Sequence, residues 1–595
     1  MNDIFTFQGL TFTAKQPGDN LSVSVRFSEK DDLLTVSFRV KNIGEEACCV
    51  KEIPLFDNVQ LEGHYAKTYS ECRDLLGELG VNDAAAERIS FGILGYTDDF
   101  GREAVLLGFD DFRDFFYKFV SVPTEGGYSI RIMCDLQGIC IAPGDEVALS
   151  DMTVRFASSV SALLQDHAHR IAERMGASYT KKSLGVGWCS WYYYYGTEDR
   201  DKIFENMEQL LSAPLGKDMG FILIDDGWNQ RRNNVCVWGD WAAGYKFPEG
   251  MKNVCDRIHC AGLRAGIWLA PFAVSTKSEL YAAHPDWVIG GEQDILNPNE
   301  GVLGLDLSNP AVLAYIREVF DRVFNEWGYD LVKIDFLQYA VGEGKRYDNR
   351  FSGVQAFRNG LKIIRECAGD KIVLNCGSPV LQSVGLCDAM RIGSDVGSRW
   401  YFPLNEGGWP YGNCNIKSSV RYTVFRNWMH GVFWRNDPDC LVVRKKSNRI
   451  EFQQFRQFFP YMEIREEDFG LSDSEAALWV KLVAFTGGIR YLSEKWDELP
   501  PSRQELVCRY AENDFGSSKL VDYYVYHDVF VLRSDLGKVG IFNISDEEVT
   551  LCIPAETLGK TEETLTEIDS DKKIKLQGDT YIFPSIKARS GYIFE

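Results

Sequence analysis

Phe221-Ile222-Leu223-Ile224-Asp225-Asp226-Gly227-Trp228 is a short apolar run closed by two carboxylates and a turn residue. Four consecutive large apolar residues have the texture of a strand covered on both faces, as in a parallel sheet. Working outward, the same pattern predicts strands at 185–191, 221–226, 264–270, 330–336, 371–376, 389–395, 431–435 and 488–492. Helical segments fall between most of them. Ile203, Phe204, Met207, Leu210 and Leu211 make one apolar helical stripe. Another helix opens at Ser308-Asn309-Pro310 and closes at Gly328, with Ile316, Val319, Phe320, Val323, Phe324 and Trp327 on its inner face. Eight such repeats predict a central (β/α)8 TIM barrel, with an open doubly wound sheet as the competitor.

Before and after this region the period changes to two. Leu34, Val36, Phe38 and Val40 alternate with Thr35, Ser37 and Arg39, and Val23-Ser24-Val25-Arg26-Phe27 does the same. The expected organisation is multidomain: an N-terminal antiparallel β-sandwich at 1–157, a helical connector at 158–182, the catalytic barrel at 183–495 and a small C-terminal antiparallel β domain at 496–595. At 595 residues the chain is too long for one hydrophobic core, which agrees.

Composition narrows the function. Hydrophobic residues are 45% and charged residues 25%, and the net charge is −22 with no basic patch, so binding to nucleic acid or to an anionic membrane is not expected. A neutral small molecule suits that balance. No apolar stretch reaches the roughly 18 residues of a membrane span. The Met1-Asn2-Asp3-Ile4-Phe5 start has no signal-peptide pattern. The 16 cysteines show no Cys-x-x-Cys pairing, and Cys189, Cys376 and Cys552 lie in apolar text, so reduced buried thiols and a cytoplasmic location are expected. Oligomeric state is left open.

Barrel chemistry sits at the C-terminal ends of strands, which singles out three places. Asp225 and Asp226 end one strand; alternation sends them to opposite faces unless the chain turns at Gly227, and paired acceptors suit vicinal sugar hydroxyls. In Leu331-Val332-Lys333-Ile334-Asp335-Phe336, Lys333 and Asp335 share a face, and the ammonium is expected to depress the carboxyl pKa as a nucleophile requires. In Met390-Arg391-Ile392-Gly393-Ser394-Asp395, Arg391, Gly393 and Asp395 share a face. Two single aspartates on strands four and six form the two-carboxylate arrangement of glycoside hydrolysis. Trp188, Trp191, Tyr192 to Tyr195, Trp228, Trp238, Trp241 and Trp268 lie at strand ends or in the following loops, where aromatic faces can pack on sugar rings; Trp188 reads as core. His167 and His169, two apart on a helix, do not make a metal pair, and Gly185-Val186-Gly187 lacks the rest of a dinucleotide fingerprint. No cofactor or metal is expected.

Gly187-Trp188-Cys189-Ser190-Trp191, Ile224-Asp225-Asp226-Gly227-Trp228, Gly266-Ile267-Trp268-Leu269-Ala270-Pro271-Phe272, His284-Pro285-Asp286-Trp287, Lys333-Ile334-Asp335-Phe336, Cys376-Gly377-Ser378-Pro379, Arg391-Ile392-Gly393-Ser394-Asp395 and Asn436-Asp437-Pro438-Asp439-Cys440 occur in this order. The set resembles the α-galactosidases of glycoside hydrolase family 36, in particular the shorter bacterial type, over residues 185 to 445. The resemblance implies a retaining exo-α-galactosidase acting on an α-galactoside or oligosaccharide without a cofactor. Asp335 is then the nucleophile and Asp395 the acid/base, at the retaining separation of about 5–5.5 Å. It also implies that Asp225 and Asp226 hold the galactose O4 and O6 hydroxyls, that Lys333 and Arg391 contact hydroxyls, and that Trp268 walls the pocket. Cys376 and Gly377 would face C2, and Trp191 completes the substrate-binding set. Two segments depart from the family: 67–72 has no Trp to send towards the sugar, and 398–414, with Trp400, Tyr401 and Trp409, matches no motif. The alternatives are an α-N-acetylgalactosaminidase, a galactosyl transferase of the raffinose-synthase kind and a non-catalytic sugar-binding protein.

Overall fold

The computed structural model describes the chain except for residues 1–3, 14–17, 19, 75–78, 100, 180–181, 183, 231–236, 291–300, 402–413, 459–464, 512 and 522–527. The molecule is multidomain, with antiparallel sheets on either side of a parallel one.

The N-terminal part holds two antiparallel sheets. Alternating strands such as Leu33–Asn42 bury every second residue, and Phe38 on one sheet packs edge-on against Phe56 on the other at 5.7 Å. The long strands Cys48–Glu62 and Gly127–Ile141 pair antiparallel and place Cys49 directly opposite Cys140. These two are joined by a disulfide, which corrects the expectation of reduced thiols throughout. Two cysteines 91 residues apart carry no spacing signal, and only the strand register brings them together. Cys189 and Cys376 are buried thiols as expected, but Cys552 is exposed on a strand with one outward face.

The helix Val160–Met175 follows, capped by Ser159 at its start and by left-handed Gly176 at its end. His167 on its inner face is a core histidine whose Nε2 meets the Phe109 carbonyl at 2.9 Å.

Eight parallel strands come next: β1 (Val186–Cys189), β2 (Met219–Ile224), β3 (Arg264–Leu269), β4 (Leu331–Ile334), β5 (Ile372–Asn375), β6 (Ala389–Arg391), β7 (Arg435–Asp437) and β8 (Tyr491–Leu492). They lie in the order β7-β6-β5-β4-β3-β2-β1-β8. Beside the two outermost strands, Leu441 N–H donates to Tyr491 O at 2.7 Å and Ile489 N–H to Asn436 O at 2.9 Å. Their residues are almost all buried, as continuous apolar runs require. Strand seven lies four residues later than its apolar text suggests. Gly431 turns the chain at φ +76°, its N–H donates to Trp434 O, and Phe433 and Trp434 go into the core from a turn. The helix Pro310–Asp321 starts where Asn309 caps it and runs on through one π turn, Arg322–Glu326.

The C-terminal part has two four-stranded sheets, antiparallel at each strand pairing between them. Among the described residues no helix is long and apolar enough to cross a membrane.

Candidate active site

The carboxylates predicted from the sequence come together beyond the C-terminal ends of β2, β4 and β6. Asp225, directly after β2, is 3% exposed and holds its place by its backbone N–H to Ser190 Oγ at 2.9 Å. Lys333 Nζ donates to Asp225 Oδ2 at 2.8 Å, and Cys189 Sγ reaches the same oxygen at 3.3 Å. Oδ1 accepts the Asp226 N–H at 2.9 Å. That turn, with Gly227 at φ +116°, leaves Asp226 part-exposed beside its buried neighbour.

Lys333 therefore pairs with Asp225, not with Asp335 as its spacing in the sequence suggests. Burial alone would lower the Lys333 ammonium, but the Asp225 carboxylate and the nearby thiols hold it well above its usual range. The expectation of a depressed Asp335 is also corrected. Burial pushes Asp335 above the ordinary carboxyl value and the Asp395 carboxyl adds to this, against the pull of Lys333 and Arg391. Two residues on one strand face need not touch when a partner across the sheet is closer.

Asp335 sits directly after β4, where its N–H donates to Leu269 O at 2.8 Å. Oδ1 accepts the Phe336 N–H at 2.7 Å, and Oδ2 accepts Trp268 Nε1–H at 3.2 Å. Trp268 is itself core-packed, at 1% exposure, against Trp238 and Trp241. The expected aromatic platform is thus largely a buried cluster that fixes Trp268. Gly377, after β5, has φ +50°, and a Cβ there would fall 2.7 Å from Asp335 Oδ1 and 2.8 Å from Gln338 Oε1. The carboxylate and the Gln338 amide occupy the room that glycine leaves.

Arg391, on β6, donates to Asp395 Oδ1 at 2.9 Å, to Tyr192 Oη at 3.1 Å and to Cys376 Sγ at 3.5 Å. It also binds Asp439 Oδ2. Asp395 is half-exposed, whereas Arg391 and Asp439 are buried. The Trp191 ring packs on Tyr195, and it is its neighbour Tyr192 that reaches Arg391 and Asp439.

Sequence reasoning therefore missed Gln338, and it named Tyr192 only as a sugar-facing aromatic and Asp439 only within a motif, without the bonds both make to Arg391. The signal for Asp439 was present, because Asp437-Pro438-Asp439 stands at the end of β7, but a strand expected at 431–435 put no carboxylate at its own end. The segment 67–72 does reach the parallel-sheet region, through the buried Glu71–Arg426 ion pair, and Arg426 in turn donates to Ile392 O at 2.8 Å. In the unmatched loop Trp400 is buried and Tyr401 exposed, while Trp409 lies outside the described residues.

A family model described as melibiase matches residues 155–359. The bifunctional α-galactosidase/sucrose kinase AgaSK of Mediterraneibacter gnavus is 30% identical over 377 residues, which is 58% of this chain and 39% of that protein. Alpha-galactosidase 1 of Pediococcus pentosaceus is 29% identical over 186 residues, 30% of this chain and 24% of that one. The matched stretches thus span well under half of these relatives. In fold, the chain is similar to a Thermus thermophilus α-galactosidase (TM-score 0.62, 20% identity, 86% of this chain and 95% of that one). It is also similar to the family 36 α-galactosidase AgaA of Geobacillus stearothermophilus (TM-score 0.64, 13% identity, 98% and 83%). In its melibiase segment and in its fold, the chain is similar to the α-galactosidases of glycoside hydrolase family 36, the resemblance that its ordered motifs carry.

Proposed function

We propose that the protein is a retaining exo-α-galactosidase that releases terminal α-linked galactose from oligosaccharides. The observation that carries this reading is that Asp335 and Asp395, each after a parallel strand and each held by its own donors, lie near enough for the Asp395 carboxyl to act on Asp335, beside the Asp225–Lys333 ion pair. Asp335 attacks the anomeric carbon while protonated Asp395 gives its proton to the leaving oxygen, which takes the electron pair of the broken C–O bond. Deprotonated Asp395 then activates water against the glycosyl-enzyme. Trp268 Nε1–H orients Asp335, and Asp225 with Asp226 receives the O4 and O6 hydroxyls. Lys333 and Arg391, almost wholly buried, act on the carboxylates as well as on the sugar, with Cys376 and Gly377 lining the C2 side and Trp191 the rim.

The eight parallel strands are read as a closed (β/α)8 barrel, supported by the hydrogen bonds from Leu441 and Ile489 that join the flanks of β7 and β8. The domains are read as 1–157 (sandwich), 158–182 (connector), 183–495 (barrel) and 496–595 (C-terminal β domain), in the cytoplasm. The Thermus thermophilus α-galactosidase of similar fold has been solved in complex with p-nitrophenyl α-D-galactopyranoside and with stachyose, the ligand class expected here.

Preference for galactose over N-acetylgalactosamine is supported at Gly377. The space beside it is filled by Asp335 and Gln338, not left for an acetamido group. The test is hydrolysis of matched aryl α-galactoside, α-N-acetylgalactosaminide and α-glucoside, with the anomer of the released sugar followed by NMR. Preference for the galactoside with α-galactose as first product is expected. β-Galactose as first product sinks the retaining mechanism, and preference for the acetamido sugar sinks the substrate.

A further inference from the structure

Asp439 follows β7 with φ +88°, a conformation that a side-chain-bearing residue keeps only where its surroundings over-determine it. The surroundings do so. Its N–H donates to Asp437 Oδ1 at 2.9 Å, and its Oδ1 accepts the Cys440 N–H at 2.7 Å. Its Oδ2 accepts the Val396 N–H at 2.9 Å, the Tyr192 hydroxyl and the Arg391 guanidinium. Arg391 thus serves two carboxylates: Asp439, which is completely buried, and Asp395, which is 49% exposed.

A guanidinium 2.9 Å from a carboxylate favours its ionised form. A general acid has to carry a proton at working pH. These demands conflict at Asp395 unless the cation is neutralised from elsewhere. We propose that Asp439 is the positioning residue that sets the proton affinity of Asp395: its carboxylate takes up the Arg391 charge, and its bond to the Val396 amide fixes the backbone next to the acid. The inference rests on the reading of Asp395 as acid/base. Among the described residues, the groups that face Asp395 include Arg391 from β6, Asp335 after β4, Cys376 after β5, Tyr192 after β1, Cys414 before the helix Ile416–Phe425, and Asp439. Asp437, Lys333, Cys440 and Tyr491 also face Asp439 among the described residues. Burial raises Asp439 against the pull of Arg391, and the guanidinium, amide and hydroxyl donors on its Oδ2 favour the anion that this task needs.

The experiment measures kcat/KM against pH for the full chain on an alkyl α-galactoside, whose leaving group needs the proton, and on a dinitrophenyl α-galactoside, which does not. Its alkaline limb reports the acid of the free enzyme. Asp439→Asn leaves the Arg391 charge to Asp395. The limb should fall by about one pH unit, and alkyl kcat/KM on the alkaline side of the limb by about tenfold, with dinitrophenyl kcat/KM lowered far less. Arg391→Gln should move the limb upward. Opposite signs from two neighbouring substitutions are not what general disruption produces. An unmoved limb in a folded Asp439→Asn, or an unmoved or lowered one in Arg391→Gln, overturns the inference; if Asp439→Asn does not fold, Arg391→Gln decides. Asp395→Asn checks the reading beneath it: for Asp395 to be the acid/base, kcat/KM must collapse for the alkyl substrate and hold for the dinitrophenyl one, whose kcat falls because the second step has lost its base.

Discussion

Gly377 shows how one missing carbon shapes this site. Its φ of +50° disfavours any side chain, and its Cβ position is already claimed by the carboxylate of Asp335. Gly377→Ala is expected to leave the protein folded but to lower kcat/KM for an aryl α-galactoside by about 10²-fold, the scale of a small misplacement of a reacting group; circular dichroism alongside the assay separates the two effects. Lys333→Met strands the Asp225 carboxylate in the interior, where breaking a buried pair costs about 3–5 kcal/mol, so its denaturation midpoint should fall clearly. His167 gives a prediction in pH. Burial lowers it to about 4 from an unfolded value near 6.5, so between those values the unfolded chain binds more protons and stability falls as pH drops. The loss approaches about 3 kcal/mol near pH 4. His167→Gln should remove that slope, read as the difference between two pH–stability curves so that the other titrating groups cancel. At this scale the sequence was informative about which residues matter, since a carboxylate ending an apolar strand is visible in the text. It was less informative about partners. Lys333 lies two residues from Asp335 along the chain but pairs with Asp225 across the sheet, and only the order of β2, β3 and β4 reveals that.

At the scale of elements, seven of the eight parallel strands stand where their apolar runs predict. The seventh was displaced because 431–434 is apolar for another reason, being a buried turn that carries Phe433 and Trp434 inward. Periodicity cannot separate a four-residue buried turn from a four-residue buried strand. The helix Ile416–Phe425 is tied to the N-terminal sheets by Arg426, which binds Glu71 and also the Ile392 carbonyl just after β6. Glu71→Ala leaves that guanidinium buried without its anion. It is expected to cost about 3–5 kcal/mol and to open the junction to limited proteolysis, while a surface change such as Glu52→Ala does not.

At the scale of the molecule, the antiparallel flanks were legible from period-two alternation, and the parallel centre from its unbroken apolar runs. The Cys49–Cys140 bridge was not, because it depends on register between two fifteen-residue strands. Thiol titration of the denatured, unreduced protein should find two of the 16 cysteines unreactive; a full set of free thiols would remove the bridge. The Glu71–Arg426 pair also has a bearing on synthesis. The two residues are 355 positions apart. At roughly 5–20 residues per second, Glu71 leaves the ribosome about 20–70 s before its partner. Through that interval the N-terminal sheets wait with an anion on the face that later docks. That charge keeps the waiting surface in water, and the arrival of Arg426 turns it into the seam of the finished molecule.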